Sequence, residues 1–99
     1  MSVQGTWKVV IATPIGKQSV IFEIAEENGA IRGTATSDAE TVPFEAVVRS
    51  GNRLTWSQRI HHPIRLNLNF DVTFDGDTLS GISKAGLLPS SAVSGVRLA

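Results

Sequence analysis

The chain contains no cysteine and no tyrosine, and its nine basic residues are matched by nine acidic ones. Without cysteine there can be no disulfide, no thiolate metal site and no thiol nucleophile. Without an excess of positive charge there is no electrostatic footprint for nucleic acid, whose binders must neutralise several phosphates. Nor does any contiguous polybasic segment offer itself to an anionic membrane. No apolar run approaches the ~20 residues of a membrane-spanning helix. The opening Met1-Ser2-Val3-Gln4 has neither the basic nor the apolar stretch of an export signal. These absences lead to the expectation of a cytoplasmic protein with no nucleic-acid partner and no membrane partner. No helical periodicity is present either, so the fold must come from strands.

What is present is a beat of two. From Ile64 to Phe74 every even position is apolar (Ile64, Leu66, Leu68, Phe70, Val72, Phe74), and every odd one polar. Only a pleated strand turns that spacing into one dry and one wet face. Similar alternation predicts strands over 6–13, 19–25, 30–36, 44–48, 54–60, 79–84 and 92–98, giving eight in all. Turn chemistry separates them. Pro14 and Gly16, Asn28-Gly29, Gly51-Asn52 and Asp75-Gly76-Asp77 suit tight hairpins, and His61-His62-Pro63 interrupts the chain before the longest strand. With 99 residues, 41% of them apolar, the chain is long enough for one core and one domain, 1–99. The expected fold is all-β: an eight-stranded antiparallel up-and-down meander that hides its apolar face by curling into a barrel or half-barrel.

The two ends of the chain carry a further signal. Gly5-Thr6-Trp7 opens the first strand and Arg97 lies near the end of the last. Antiparallel closure of those strands places a guanidinium beside an indole, a contact of about 0.5–2 kcal/mol. This pairing resembles the signature of the calycin superfamily, which includes lipocalins, fatty-acid-binding proteins and avidins. With Thr13-Pro14-Ile15-Gly16, the run from Asp75 to Gly81 and Gly95-Val96-Arg97, the outline is similar to small lipocalin-like bacterial domains without an assigned function. The resemblance implies a lipocalin-like barrel. It implies no ligand identity, because the chain lacks the avidin ring of polar residues, a helical lid and any Arg–Tyr carboxylate clamp.

Chemistry is sparse. His61 and His62 are adjacent, so on a strand they point apart and do not make a metal site with its usual four ligands; they are candidate rim residues touching a ligand. No Gly-X-Ser-X-Gly elbow occurs, and no Ser-His-Asp set stands out. Asp75 and Asp77 read as turn residues. Gln58 and Ser83 fall on the apolar parity, where a polar group without a partner costs ~1–3 kcal/mol. Either they bond internally or they orient a ligand. Trp56, Gln58, Phe70 and Ser83 are therefore the candidate pocket, and Gly33, Ala35, Ala46, Gly81 and Ser83 are the small residues expected to leave space for it. The leading expectation is a barrel that binds a small apolar molecule without catalysis and without a cofactor. The alternative is a structural or oligomerisation domain with a filled core. A third reading is an enzyme that steers a cyclisation or isomerisation by shape. Val10, Ile21, Ile82, Val96 and Leu98 fall on the outward parity of neighbouring strands and suggest a homodimer.

Overall fold

A computed structural model of the protein describes residues 2–61 and 64–98. Nine strands follow one another: β1 (Gly5–Thr13), β2 (Gly16–Glu27), β3 (Ala30–Thr36), β4 (Thr41–Pro43), β5 (Glu45–Ser50), β6 (Arg53–Ile60), β7 (Leu66–Asp75), β8 (Thr78–Lys84) and β9 (Ser91–Arg97). All ladders are antiparallel, and β1 pairs with β9 as well as with β2. The single sheet runs β4-β3-β2-β1-β9-β8-β7-β6-β5. This is an up-and-down barrel, nearly closed, and the all-β expectation holds.

Eight expected strands became nine at one place. The Phe44 N–H still donates to the Gly33 carbonyl at 2.8 Å, whereas Glu45 already pairs with Ser57 of β6. The next pair is Val48 with Thr55, so three steps of β5 span two of β6. Ala46 absorbs the extra residue with a φ of 52°. Such a bulge bends its strand and inverts the parity beyond it. Val42 and Phe44 face inward before the bulge and Val47 after it, while Ala46 and Val48 lie on the surface, Val48 at 61% exposure. The expectation that Ala46 and Val48 face the core is thereby corrected. Ile64 is corrected too: it precedes β7 and is 61% exposed.

The split strand leaves a seam. Among the described residues no ladder joins β4 to β6 or β3 to β5, although β4 lies against β6. Side-chain contacts cross the gap at both ends. Near the β2–β3 hairpin, Glu26 meets Arg49 at 3.1 Å. Near the opposite rim, Glu40 accepts from the His61 N–H at 2.8 Å and lies 2.9 Å from its Nδ1.

Glu26 also accepts from the Val3 N–H at 2.9 Å and the Ser2 hydroxyl at 3.3 Å. The Val3 amide, with Arg49 and Ser2, holds its carboxyl below the usual value of 4.5. A depressed folded-state pKa contributes stability above the unfolded value that is lost as pH falls through the folded one. The gain is therefore present at neutral pH and disappears on acidification below about 4.5. Glu26→Gln should remove that part of the acid dependence, under about 1 kcal/mol for so exposed a pair. Urea melts at pH 7 and pH 3 check it: the gap between variant and parent should close at the lower pH. A gap of equal size at both would show that the carboxylate charge contributes nothing. Asp71, lowered by Arg53, supplies a separate acid dependence that the substitution leaves in place.

The barrel has unlike ends. At one, three two-residue turns (Asn28-Gly29, Gly51-Asn52, Gly76-Asp77) join the strands. Asn28 and Gly29 both have positive φ, 51° and 79°, as a type I′ hairpin requires. Residues 2–4 cross this end and close it. Val3 is buried, and its carbonyl accepts from the Trp7 indole N–H at 3.0 Å. Trp7 meets Phe74 edge to face, with centroids 5.0 Å apart. The opposite rim carries the β1–β2 turn, the connections at 37–40 and 85–90, and the described residues His61, Ile64 and Arg65 between β6 and β7.

Candidate functional site

The interior positions of β6, β7 and β8 lie on shared rungs. Trp56 pairs with Phe70, and Phe70 with Ser83. One rung toward the rim, Gln58 pairs with Leu68. Four of the six expected site residues are thus brought together, all of them 4% exposed or less. His61 is not among them. It sits on the rim, turned across the seam to Glu40, and beside Arg59, Arg65 and Asn67. His62 lies outside the described residues.

What the four build is packing. The Trp56 indole lies between two parallel rings, Phe44 at 4.3 Å and Phe70 at 5.0 Å. Phe22, from the opposite wall, meets all three edge-on at 5.2–5.9 Å. Offset-stacked and edge-to-face arrangements are the favoured geometries of aromatic pairs. The cluster spans the barrel from β2 to β7. The expected gaps are closed as well. A methyl at Gly33 would stand 2.5 Å from the Phe44 ring, and one at Gly81 would strike the Asp71 carbonyl. The Phe44 ring takes the space at Gly33 and the β7 backbone takes it at Gly81, so neither glycine leaves a void.

Gln58 finds its partner inside this cluster: the Trp56 indole N–H donates to its Oε1 at 2.8 Å. Among the described residues no buried side-chain nitrogen or oxygen is left without a hydrogen bond. Above Gln58 a cleft of about 60 Å³ opens toward the rim, lined by Ile11, Gln18, Ser37, Glu40 and Leu68 among others. Sequence reasoning missed Gln18, Ser37 and Glu40. Gln18 had a signal, because it shares the even parity of Val20 and Phe22. Ser37 and Glu40 lie on a connection and had none.

The larger recesses are on the outside. One of about 650 Å³ crosses the outer surface near the plugged end, bordered by Thr6, Glu23, Arg32, Thr34 and Phe44. It brings one carboxylate and one guanidinium together, with neither histidine nor a nucleophile paired to a base. The seam itself is a recess of about 370 Å³ between Ile31 and Val47. Among the described residues no three histidine, aspartate or glutamate side chains converge as metal ligands would.

At the plugged end, the Arg97 guanidinium stands 4.4 Å from the Trp7 ring centroid. It donates to the carbonyls of Gln4, of Ser2 at 2.9 Å and of Gly76 at 3.2 Å. Its Nε reaches Asp77 at 2.9 Å. The register Trp7↔Arg97 creates this arrangement, so the two chain ends and the β7–β8 turn are held by one side chain. Comparison with protein-family models returned no match, and comparison with curated proteins returned none either.

Proposed function

We propose that this chain is a filled, lipocalin-like barrel that acts through its surface, as an interaction and assembly domain, in preference to carrying an apolar molecule inside. The observation that supports this reading is the aromatic stack of Phe44, Trp56 and Phe70 with Phe22 against it. It occupies the place a ligand would take. The remaining cleft of about 60 Å³ equals roughly two waters at ~30 Å³ each, whereas small-molecule pockets are typically ~300–1,000 Å³. Gln58, the residue best placed to orient a ligand, has its carbonyl occupied by Trp56. The Trp7–Arg97 contact supports the calycin likeness without bearing on a ligand. Among the described residues no helix is long and apolar enough to cross a membrane, and the cytoplasm is the location we propose.

Native mass spectrometry of freshly purified protein tests the reading. The expected spectrum carries no small-molecule mass, and added palmitate or an anilinonaphthalene dye should not protect the protein against thermal unfolding. A retained discrete mass that is lost on denaturation would overturn it in favour of a carrier.

A homodimer is the form of assembly favoured by the outer surface of β1, β9 and β8. Ile82, Val96 and Leu98 are 45%, 47% and 57% exposed there, around the small side chains of Ala12, Ala92 and Ser94. Lys8 separates Ile21 from Val96 on one rung, so the surface is narrower than the sequence pattern suggests. Sedimentation should show a dimer at micromolar concentration that Ile82→Lys converts to monomer. A monomer in both would remove this face from consideration.

A further inference from the structure

The rim opposite the plug carries its exposed large aliphatics on projecting turns. The β1–β2 turn presents Ile15 at 79% exposure, the β6–β7 connection Ile64 at 61%, and the β8–β9 connection Leu87 at 102% and Leu88 at 56%. These are three successive hairpin connections along the sheet order β2-β1-β9-β8-β7-β6. Single exposed aliphatics are ordinary, but four on adjacent connections at one end form a concentrated apolar feature. Leu87 is held out deliberately by the backbone. It sits at the tip of a turn closed by the Leu88 N–H donating to the Ala85 carbonyl at 3.0 Å, with Gly86 supplying a φ of 56°.

Charge follows the same polarity. Lys17, Arg65 and Lys84 flank these connections, are exposed, and make no ion pair among the described residues. Arg59 stands nearby, facing Glu45 at 3.6 Å. The acids of this end, Asp38 and Glu40, belong to the 37–40 connection, which has no large apolar tip, and Glu40 is engaged with His61. At the plugged end the turns are polar, and Glu26, Glu27, Asp75 and Asp77 are nearly balanced by Arg49, Arg53 and Arg97. A chain of zero formal charge is thus folded into a particle whose apolar rim is basic and whose opposite end is polar and close to neutral.

We propose that this rim docks on an anionic lipid surface, with Ile15, Ile64, Leu87 and Leu88 entering the boundary between headgroups and acyl chains. The inference rests on the reading of the domain as one that works through its surface. Projecting tips on separate connections match a fluid interface, which deforms around each side chain, better than a rigid protein face that must supply a pocket for each. Apolar insertion and attraction of lysine and arginine to acidic headgroups are the two terms that hold peripheral domains on bilayers. The absence of a contiguous polybasic segment does not weigh against it, because the fold gathers cations that are dispersed in sequence.

Co-sedimentation with vesicles of phosphatidylcholine alone, and of phosphatidylcholine with phosphatidylglycerol, tests the proposal. Binding is expected to the second composition only. Leu87→Asp with Leu88→Asp should weaken it at least about tenfold, since each loses the burial of a leucine. Lys17→Glu and Lys84→Glu should each weaken it about fivefold or more, while Glu27→Gln at the far end should change nothing. Thermal melts should match the parent for the leucine variants, because those side chains touch no core. No binding to either vesicle overturns the proposal, as does equal binding to both. Dissociation of a dimer by the leucine substitutions, without vesicle binding by the parent, would assign the rim to a second copy instead and also overturn it. Native mass spectrometry on the same preparation keeps this outcome separate from that of the filled-barrel reading, since a retained ligand bears on the interior alone.

Discussion

Trp56→Ala should cost about 3–5 kcal/mol for the lost aromatic volume and its cavity, and more because Gln58 loses its donor. The indole is 2% exposed and is stacked on both faces, by Phe44 and Phe70, so no neighbour can collapse into the space without abandoning the other. The Gln58 Oε1, deprived of the indole N–H, adds a desolvation cost of ~1–3 kcal/mol. The sum approaches the whole stability of an ordinary domain, ~5–15 kcal/mol. Urea unfolding should show a midpoint near zero denaturant, or a chain already partly unfolded at 25 °C. Trp56→Phe separates the two contributions. It keeps a ring in the stack while removing the donor and the smaller part of the indole volume, so its cost should exceed the hydrogen-bond figure yet stay well below that of the alanine variant. A loss below about 1 kcal/mol for the alanine variant would mean that the interior is loose, and would revive the case for a ligand cavity.

Arg97→Ala should be the second large loss, about 2–4 kcal/mol. A charged donor to a carbonyl contributes ~1.5–3 kcal/mol, and the guanidinium over the Trp7 face another ~0.5–2 kcal/mol, in a group of contacts that do not add independently. The Asp77 pair adds little, because that carboxylate is 83% exposed. Arg97→Lys should recover less than half of the loss: an ammonium can sit over the indole, but it cannot reach Ser2, Gln4 and Gly76 together as the planar fork does. Position matters as much as magnitude. Residues 2–4 are held by Arg97, Glu26 and the Trp7 N–H, so hydrogen exchange at Val3 and Trp7 should accelerate ahead of the rest of the barrel. A red shift of the tryptophan emission, as Trp7 hydrates, would report the same opening. Uniform acceleration across all strands would show that Arg97 stabilises the sheet globally and not the plug.

The Arg97 plug and the apolar rim lie at opposite ends of the same particle, and their effects should be separable. Loss of the plug lowers stability without touching the apolar rim, whereas Leu87→Asp alters the rim without touching the core. Sites more than 7–10 Å apart with no shared partners generally behave additively.

Much of this was legible in the residues themselves. Strict alternation predicts β6, β7 and the inner faces of Trp7, Val9, Phe22, Phe70, Val72 and Phe74, because side-chain direction along a pleated strand depends only on local backbone geometry. The hairpins at Asn28-Gly29 and Gly76-Asp77 follow from turn chemistry for the same reason. So does the meeting of Trp7 with Arg97, once the outer strands are taken to pair. Tertiary structure alone decided the rest. The bulge at Ala46 depends on a strand having to leave β3 and join β6, a demand of barrel closure that residues 43–48 do not announce. The filling of Gly33 by Phe44 and the sandwiching of Trp56 depend on rings from distant strands meeting across the barrel. Lys17, Arg65 and Lys84 are far apart in the chain and become one basic rim only because up-and-down pairing returns every second connection to the same end. Alternation is a property of neighbours along a chain, but a filled core and a polarised surface are properties of strands brought side by side.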